Sequence, residues 1–188
     1  MGDIPLGSAG VGLGSSSSLA VGVLNALYAY KGQHVSAEHL AREACEIEIE
    51  VLQHPIGKQD QYAAAYGGLN FIQFNKDESV FVDPIICGKE IRHKLNSKLL
   101  LFYTGITRIS SNILAEQKSN IDSNGQYLDE MVKLSNVFME LLIKGDLNSI
   151  GYLLHEGWEY KKKLAATITT NVIDDYYEKA RKSGAIGG

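Results

Sequence analysis

Residues 5–18 read P-L-G-S-A-G-V-G-L-G-S-S-S-S, and an apolar helical pattern begins directly after them at Leu19. Glycine has no Cβ, so a loop with four glycines lets backbone N–H groups approach a ligand closely. The helix that follows points its free N–H groups and the positive end of its dipole at the same place. The run is therefore typical of a phosphate-binding loop, although a flexible linker or a plain helix N-cap would have a similar composition.

The composition of the chain is that of an ordinary globular protein. Of its 188 residues, 45% are hydrophobic and 21% are charged, which is enough apolar material for a sizeable core. A formal net charge of −4 gives no electrostatic reason to expect nucleic acid or an anionic membrane as a partner. The sequence contains no apolar run of membrane-spanning length, and its two distant cysteines suit a reducing compartment. We therefore expect a cytoplasmic protein.

Two helices are predicted directly after the glycine-rich run. The first continues from Leu19 to Tyr30, because apolar residues recur there at helical spacing, and Gly32 ends it. Ser36 is suited to cap the second helix, which the pattern extends to Leu52.

A helical wheel of the second helix places one of its central glutamates among apolar residues. Each residue turns the helix by about 100°, and the apolar side chains then lie within roughly 40° of one direction; they are Leu40, Ala44, Ile47 and Val51. With Leu40 at zero, Glu48 falls near 80°, between Ala44 and Ala41 on the apolar side, whereas Glu46 and Glu50 lie on the solvated flank. A buried carboxylate must be paired, protonated or bound to a cation, because burying it bare is costly. Glu48 is therefore predicted either to bridge to a nearby Lys or Arg or to hold a cation.

Strand patterns follow and are mixed with helices without strict alternation. Residues 69–74 and 80–82 are predicted to be partner strands across a polar turn, and the apolar run 99–103 is predicted to be a buried central strand. From residue 109 onward the pattern is helical, with a predicted break at residues 122–125. The chain is therefore predicted to have an α+β fold with a short mixed sheet and a helical C-terminal half.

Several stretches resemble the GHMP kinases, the superfamily of galactokinase, homoserine kinase, mevalonate kinase and phosphomevalonate kinase. I-P-L-G-S at residues 4–8 with G-L-G-S-S-S at residues 12–17 looks like the second motif of that family, and H-P-I-G-K-Q-D-Q-Y-A-A-A-Y-G-G at residues 54–68 resembles its catalytic-aspartate segment. L-F-Y-T-G at residues 101–105 and L-H-E-G-W at residues 154–158 narrow the likeness to bacterial sugar kinases that act on heptose 7-phosphate. The resemblance implies a GHMP-kinase-like two-layer fold.

The sequence departs from the family pattern in two ways. Residues 8–11 make the loop longer than in the usual motif. The chain also opens almost at the second motif, and residues 183–188 stand where the third glycine-rich motif would begin, so we expect a chain that is truncated at both ends. In family terms, residues 1–82 are expected to be the remainder of the N-terminal ATP-binding domain, and residues 83–188 a C-terminal domain truncated at the third motif.

The resemblance also implies roles for individual residues. Asp60 corresponds to the base that accepts the proton of the sugar hydroxyl or orients that oxygen, and Lys58 to a cation near the transferred phosphoryl group. GHMP kinases hold Mg²⁺ with a helical glutamate twelve residues before the catalytic aspartate, which here is Glu48. Ser16 is the implied second Mg²⁺ ligand by motif position. The residues implied to bind the phosphates of ATP are Gly10, Gly12, Leu13, Gly14, Ser15, Ser16 and Ser17.

Simpler explanations exist for several of these residues. Asp60 is also a suitable helix N-cap, and Lys58 is also a suitable solvated surface charge. The serines on either side of Ser16 compete with it as the metal ligand, and any of the three could cap the helix. Arg108 is expected, with Asp60, to bind the substrate through the distal phosphate of the sugar, or else to bind ATP. A helix-surface ion pair would explain Arg108 equally well.

The implied function is that of an ATP- and Mg²⁺-dependent sugar kinase that transfers the γ-phosphoryl group to the anomeric hydroxyl of a heptose 7-phosphate. ATP and the phosphorylated sugar are the expected partners, and the protein could form a homodimer. A fucose- or galactose-type kinase of the same superfamily is one alternative. The other is an inactive nucleotide-binding fragment, because the missing motifs would leave the site half built. In that case the chain by itself would show little or no kinase activity.

Overall fold

The computed structural model describes residues 14–106 and 110–188. These residues form two compact units, one built from residues 14–84 and 110–114 and the other from residues 85–106 and 115–188. Each unit has its own buried apolar residues. None of the helices in the described residues is long and apolar enough to cross a membrane. The assignment of the two halves of the chain to the N- and C-terminal domains of the family stays a prediction.

The first unit combines helices with an antiparallel pair of strands. Its elements in chain order are α1 (Ser15–Tyr30), α2 (Ala37–Cys45) continued by a π-helical segment (Glu46–Val51), α3 (Gln59–Tyr66), β1 (Asn70–Phe74) and β2 (Val80–Pro84). Ile72 lies opposite Val82 in the centre of the strand register. The two partner strands are therefore confirmed, and the sheet that they form is antiparallel where we had expected a mixed one.

α1 begins at Ser15 rather than at Leu19. Gly14 takes the N-cap position in the left-handed conformation, with φ 63° and ψ 24°, and its carbonyl oxygen accepts a hydrogen bond from Ser18 N at 3.0 Å. That conformation is strained for a residue with a Cβ, so glycine is the suitable residue at this point. The serines thus form the first turn of the helix instead of preceding it.

The start of α2 is capped as the sequence predicts. Ser36 Oγ accepts a hydrogen bond from His39 N at 3.1 Å, which satisfies one of the free N–H groups of the first turn. The helix then widens into the π-helical segment and ends at Val51, next to the predicted end at Leu52. Gln53 follows with a positive φ of 53° and turns the chain out of the helix.

Two buried clusters hold the first unit together. Val21 and Leu24 of α1 pack with Leu40 and Ala44 of α2. Burying one Val or Leu side chain contributes about 1.5–3 kcal/mol, so this contact keeps α1 and α2 side by side. The second cluster joins α2 and α3 to the sheet; it contains Ala41, Cys45 and Tyr62, packed against Ile72, Val80 and Val82.

Hydrogen bonds from two tyrosines fix α3 beside the first turn of α2. Tyr62 Oη donates to Glu38 Oε1 at 3.0 Å, and Tyr66 Oη donates to Glu38 Oε2 at 3.1 Å. Burial, together with the Glu38 carboxylate, raises the pKa of Tyr62 well above the ordinary value of a phenol. Its hydroxyl therefore remains a donor to Glu38 throughout the neutral pH range, and α3 keeps its position.

The prediction of a buried strand at residues 99–103 is wrong. These residues form no strand, and their side chains are 58–85% exposed. Within residues 14–106 and 110–188 the sheet consists of β1 and β2 alone. A short apolar run shows that a segment is suited to burial, but it does not supply the neighbouring strand that a hydrogen-bonded ladder requires.

The C-terminal half is helical, as the sequence predicts. Its elements are α4 (Lys89–Lys98), α5 (Ser110–Ser119), α6 (Ile121–Lys144), α7 (Leu147–Lys161), a 3₁₀ turn (Ala166–Ile168) and α8 (Asn171–Lys182). Asp146 caps α7 by accepting a hydrogen bond from Ser149 N at 3.1 Å, and Thr170 caps α8 by accepting one from Ile173 N at 3.3 Å. The buried side chains of this half include Leu142, Ile150, Leu164 and Ile168.

α6 runs through residues 122–125, where the sequence predicts a break. Asn124 Nδ2 donates to the Leu164 carbonyl oxygen at 3.0 Å, and Asn120 Nδ2 donates to the same oxygen at 3.4 Å. Asparagine usually weakens a helix because its amide competes for nearby backbone groups. Here both amides are engaged by a segment far away in the sequence, so the helix continues.

Candidate functional site

The N-terminal end of α1 offers backbone donors that are not used within the helix. The first hydrogen bond of the helix runs from Ser18 N to Gly14 O, so the N–H groups of Ser15, Ser16 and Ser17 have no acceptor within the helix. The first turn contains no acidic side chain, which leaves the positive end of the helix dipole uncompensated by α1 itself. An anion with several oxygens is the ligand that such a helix end is suited to bind.

The three serine side chains of this turn differ in exposure. Ser16 is exposed, Ser15 is half-buried, and Ser17 is 2% exposed. Ser17 lies one turn before Val21, on the face of α1 that packs against α2. Gly14 occupies the N-cap position without a side-chain hydrogen bond, so the idea that a serine hydroxyl caps this helix is wrong.

Asp60 meets the start of α1. It is the second residue of α3, and Asp60 Oδ2 lies 3.3 Å from the position that a Cβ on Gly14 would occupy. The Asp60 side chain is exposed, and the first turn of α3 suits a negative charge because the helix dipole is positive there. Lys58 occupies the N-cap position of α3, so the alternative of Asp60 as the helix cap is wrong. The last glycine of the glycine-rich run and the aspartate segment are thus brought together.

Glu48 is buried, as the helical wheel predicts. Its residue is 3% exposed, whereas Glu46 and Glu50 are exposed. Glu48 Oε2 accepts a hydrogen bond of 2.6 Å from Gln61 Nε2 of α3. This partner is an amide rather than the Lys or Arg of the simpler explanation, so the charge of an ionised Glu48 is not neutralised by it. The π-helical segment that carries Glu48 is a widening often found at functional sites.

Ser17 and Glu48 lie at the same end of the α1–α2 pair. The two helices are joined by residues 31–36 and pack side by side, so they run antiparallel. Ser17 is one turn from Val21 towards the start of α1, and Glu48 is about one turn from Ala44 towards the end of the second helix. The Asp60 side chain lies beside Gly14. The start of α1, Glu48 and the first turn of α3 therefore converge on one region of the unit.

Lys58 is turned towards an acidic partner. Its ammonium forms an ion pair with Glu78, in the turn between β1 and β2. Burial raises the pKa of the neighbouring Cys45 thiol to about 11, against the opposing effect of the Lys58 charge. The predicted role of Lys58 beside a transferred phosphoryl group therefore requires its side chain to exchange Glu78 for that group.

The remaining predicted site residues lie outside the part of the chain that the structure describes; they are Gly10, Gly12, Leu13 and Arg108. Among the described residues, no three His, Cys, Asp or Glu side chains are grouped as a metal cluster. A cation at Glu48 would therefore take its other ligands from hydroxyl groups, water and a bound anion, which suits Mg²⁺.

Gln61 is a residue of the candidate site that was not predicted from the sequence. This residue is 0% exposed and directly follows Asp60, and its amide contacts Glu48. A signal was available, because Gln61 precedes Ala65 by one helical turn and Ala65 packs against both buried clusters. A polar residue on the buried face of a short helix is a candidate functional residue, as is Glu48 in the π-helical segment.

We expect Gly14→Ala to destabilise the chain and to displace Asp60. The left-handed conformation costs a residue with a Cβ about 1–2 kcal/mol, and the new methyl group would press on Asp60 Oδ2 at 3.3 Å. Gly22→Ala is the matched control, because it lies inside α1 with nothing within 4 Å of its added Cβ; it should stabilise the chain by about 0.4–1 kcal/mol. Urea unfolding of both variants measures the difference. Equal effects would show that Gly14 is not held in this conformation.

A known protein family matches the part of the chain that contains the candidate site. Residues 1–68 match the GHMP kinases N terminal domain. The D-glycero-alpha-D-manno-heptose 7-phosphate kinase of Campylobacter jejuni is 32% identical over an alignment that covers 99% of this chain and 55% of that protein. A galactokinase of Thermococcus kodakarensis is 28% identical, and the alignment covers 99% of this chain and 58% of that protein.

A solved structure extends the likeness beyond the matched domain. One solved structure with a similar fold is the crystal structure of a D-glycero-D-manno-heptose 1-phosphate kinase from Bacteroides thetaiotaomicron, with a TM-score of 0.73 and 29% sequence identity. The match covers 96% of this chain and 50% of that chain. The chain thus spans about half the length of the relatives that it matches. The resemblance to the GHMP kinases is therefore confirmed, and residues 1–68 of this chain match the GHMP kinases N terminal domain.

Proposed function

We propose that this chain carries the nucleotide-binding and catalytic part of an ATP- and Mg²⁺-dependent sugar kinase, with a heptose 7-phosphate as the acceptor. The position of Asp60 beside Gly14, with Oδ2 3.3 Å from where a Cβ on Gly14 would lie, is the observation that carries the proposal. It brings a carboxylate, which can receive a proton, to the helix end that is suited to bind phosphate. Phosphoryl transfer depends mainly on positioning and charge stabilisation, and this arrangement supplies both.

The backbone of α1 positions the donor in this proposal. The N–H groups of Ser15, Ser16 and Ser17 donate to phosphate oxygens of ATP, and the helix dipole favours their negative charge. Asp60 accepts the proton of the anomeric hydroxyl, or holds that oxygen towards the γ-phosphate, at the mouth of the site where its side chain is exposed. Arg108 is proposed to bind the distal phosphate of the sugar.

Glu48 fits the metal that such a reaction needs. It is a buried carboxylate whose observed hydrogen-bond partner is a neutral amide, so a cation would offset the cost of its burial. Mg²⁺ would neutralise charge on the phosphates when bound. Ser16 is the proposed hydroxyl ligand by motif position, and Ser17 competes with it because its side chain is on the buried face of α1, at the same end as Glu48.

A sugar panel tests the proposed activity. ADP release is measured at saturating Mg-ATP with heptose 7-phosphate, galactose and fucose, on the longest open reading frame that contains this chain. We expect heptose 7-phosphate to be turned over fastest. Preferred turnover of galactose would favour the galactose-type alternative, which the 28% identical galactokinase supports. Absence of ADP release with every sugar would contradict the proposed kinase.

A further inference from the structure

Gln61 is fully buried, and of the two polar groups of its amide only the NH₂ group forms a hydrogen bond among the described residues. The residue is 0% exposed, and its Nε2 donates a hydrogen bond of 2.6 Å to Glu48 Oε2. Gln61 Oε1 is buried as well and has no hydrogen-bond partner among the residues that the structure describes. Buried side-chain oxygens are nearly always paired with a protein donor or with ordered water. The Gln61 carbonyl therefore requires a donor that residues 14–106 and 110–188 do not provide.

The amide cannot satisfy this oxygen by turning round. Turning it round would break the hydrogen bond of 2.6 Å from Gln61 Nε2 to Glu48 Oε2, so the NH₂ group faces Glu48 and the carbonyl faces away from it. The backbone leaves little freedom either, because the next residue, Tyr62, is buried and bound to Glu38 at 3.0 Å. The orientation of Gln61 is thus set by Glu48 on one side and by the packing of α3 on the other.

A hydrated cation at Glu48 would provide the missing donor. Mg²⁺ in proteins usually keeps several of its waters and takes only one or two carboxylates. A bound cation also makes its water a better hydrogen-bond donor, because it draws electron density from the oxygen. Gln61 adjoins both the carboxylate and the catalytic Asp60 that precedes it in α3, so it borders the place where such a cation would sit.

We propose that Gln61 is a positioning residue of the Mg²⁺ site. This proposal rests on the kinase function proposed above. Its Nε2 fixes the rotamer of Glu48, and its Oε1 accepts a hydrogen bond from a water on the cation. Groups that orient a metal ligand in this way commonly change metal affinity by about 10–100-fold when they are removed. Gln61 acts through Glu48 and the water, and it touches neither the sugar nor the γ-phosphate.

Direct metal binding tests this role without relying on turnover. Mn²⁺ replaces Mg²⁺ as a paramagnetic probe, and electron paramagnetic resonance measures free Mn²⁺ in the presence of the chain and a non-hydrolysable ATP analogue. Gln61→Met keeps the size of the side chain and removes both polar atoms; it should raise the Mn²⁺ dissociation constant about tenfold. Gln59→Met, at an exposed glutamine in the same helical turn, should leave it unchanged. Nucleotide affinity in EDTA should be the same in both variants.

A double-mutant cycle separates positioning from a general structural effect. If Gln61 acts through Glu48, Gln61→Met should cost little further Mn²⁺ affinity in a chain that already carries Glu48→Gln, because contacting residues that act together are not additive. Full additivity, or unchanged Mn²⁺ binding in Gln61→Met, would overturn the proposal while leaving the kinase function standing. A wild-type chain that binds no Mn²⁺-nucleotide would overturn both.

A second variant keeps the proposal testable if Gln61→Met does not fold. Gln61→Asn keeps the amide but shortens the side chain, so it should lose the contact with Glu48 while remaining polar. Circular dichroism first establishes that each variant is folded. If Gln61→Met does not fold, the same tenfold loss is expected of Gln61→Asn, and wild-type Mn²⁺ affinity in that variant would overturn the proposal.

Discussion

Asp60→Asn is expected to lower the rate of phosphoryl transfer by about 10²–10⁴-fold, because the amide can no longer accept the proton of the sugar hydroxyl. Folding and nucleotide binding should change little, since the Asp60 side chain is exposed and lies beside Gly14 at the start of α1. Turnover of heptose 7-phosphate at saturating Mg-ATP measures the effect, in the longest open reading frame that contains the chain.

Asp83→Asn is the matched control for this variant. Asp83 is an exposed aspartate of β2 in the same unit, so its substitution removes one negative charge without touching the start of α1. We expect turnover close to that of the wild type. Near-wild-type turnover in Asp60→Asn as well would contradict the assignment of Asp60 as the catalytic carboxylate.

Glu48→Gln should give the second large effect, a loss of Mg²⁺-dependent nucleotide affinity of about 100-fold, the upper end of the range for residues that support a metal site. The amide cannot balance the charge of a cation, and it would face the NH₂ group of Gln61, which donates to Glu48 at 2.6 Å in the native chain. Calorimetric titration of the chain with an ATP analogue, with and without Mg²⁺, measures the loss. Affinity without Mg²⁺ should be unchanged.

The neighbouring glutamates provide the controls. Glu46→Gln and Glu50→Gln remove the same charge from the same segment, but both side chains are exposed, and substitutions of exposed residues usually change little. Equal losses in all three variants would mean that the effect comes from the net charge of the segment and not from a site at Glu48.

The parts of the fold that were predicted depend on local periodicity. Glu48 was placed on the buried face from the spacing of the apolar residues before it, and it is buried; Val51, predicted on the same face, is 69% exposed because the π-helical widening shifts the phase after Glu48. Ser36 was predicted as a cap because one side chain and the N–H group of His39 are enough to form the contact. Both features are properties of a few consecutive residues, so the sequence contains them.

The parts that were missed depend on distant partners. The apolar run 99–103 has the composition of a strand but no neighbouring strand among the described residues. Residues 122–125 have the composition of a break, yet Asn124 donates to the Leu164 carbonyl and α6 continues. Gln61 was overlooked because its importance comes from its contact with Glu48 in another helix.

The candidate site shows the same division. The glycine-rich run, Asp60 and Glu48 were each found from the sequence. Their convergence was implied by the resemblance alone, until the structure placed Asp60 Oδ2 3.3 Å from the Cβ position of Gly14. The pairing of Lys58 with Glu78 of the β1–β2 turn could not be predicted either, because an ion pair between two residues far apart in the sequence has no periodic signature.

In the proposed kinase, the start of α1, Glu48 and Asp60 form one site for a metal-bound nucleotide. Paramagnetic broadening of backbone amide NMR signals by a Mn²⁺–ATP analogue complex tests it most directly, on the chain itself and without any need for turnover. We predict that the amide signals of Ser15, Ser16, Ser17, Glu48 and Asp60 broaden at the lowest Mn²⁺ concentrations. Broadening centred elsewhere in the chain, or no broadening at all, would contradict the account.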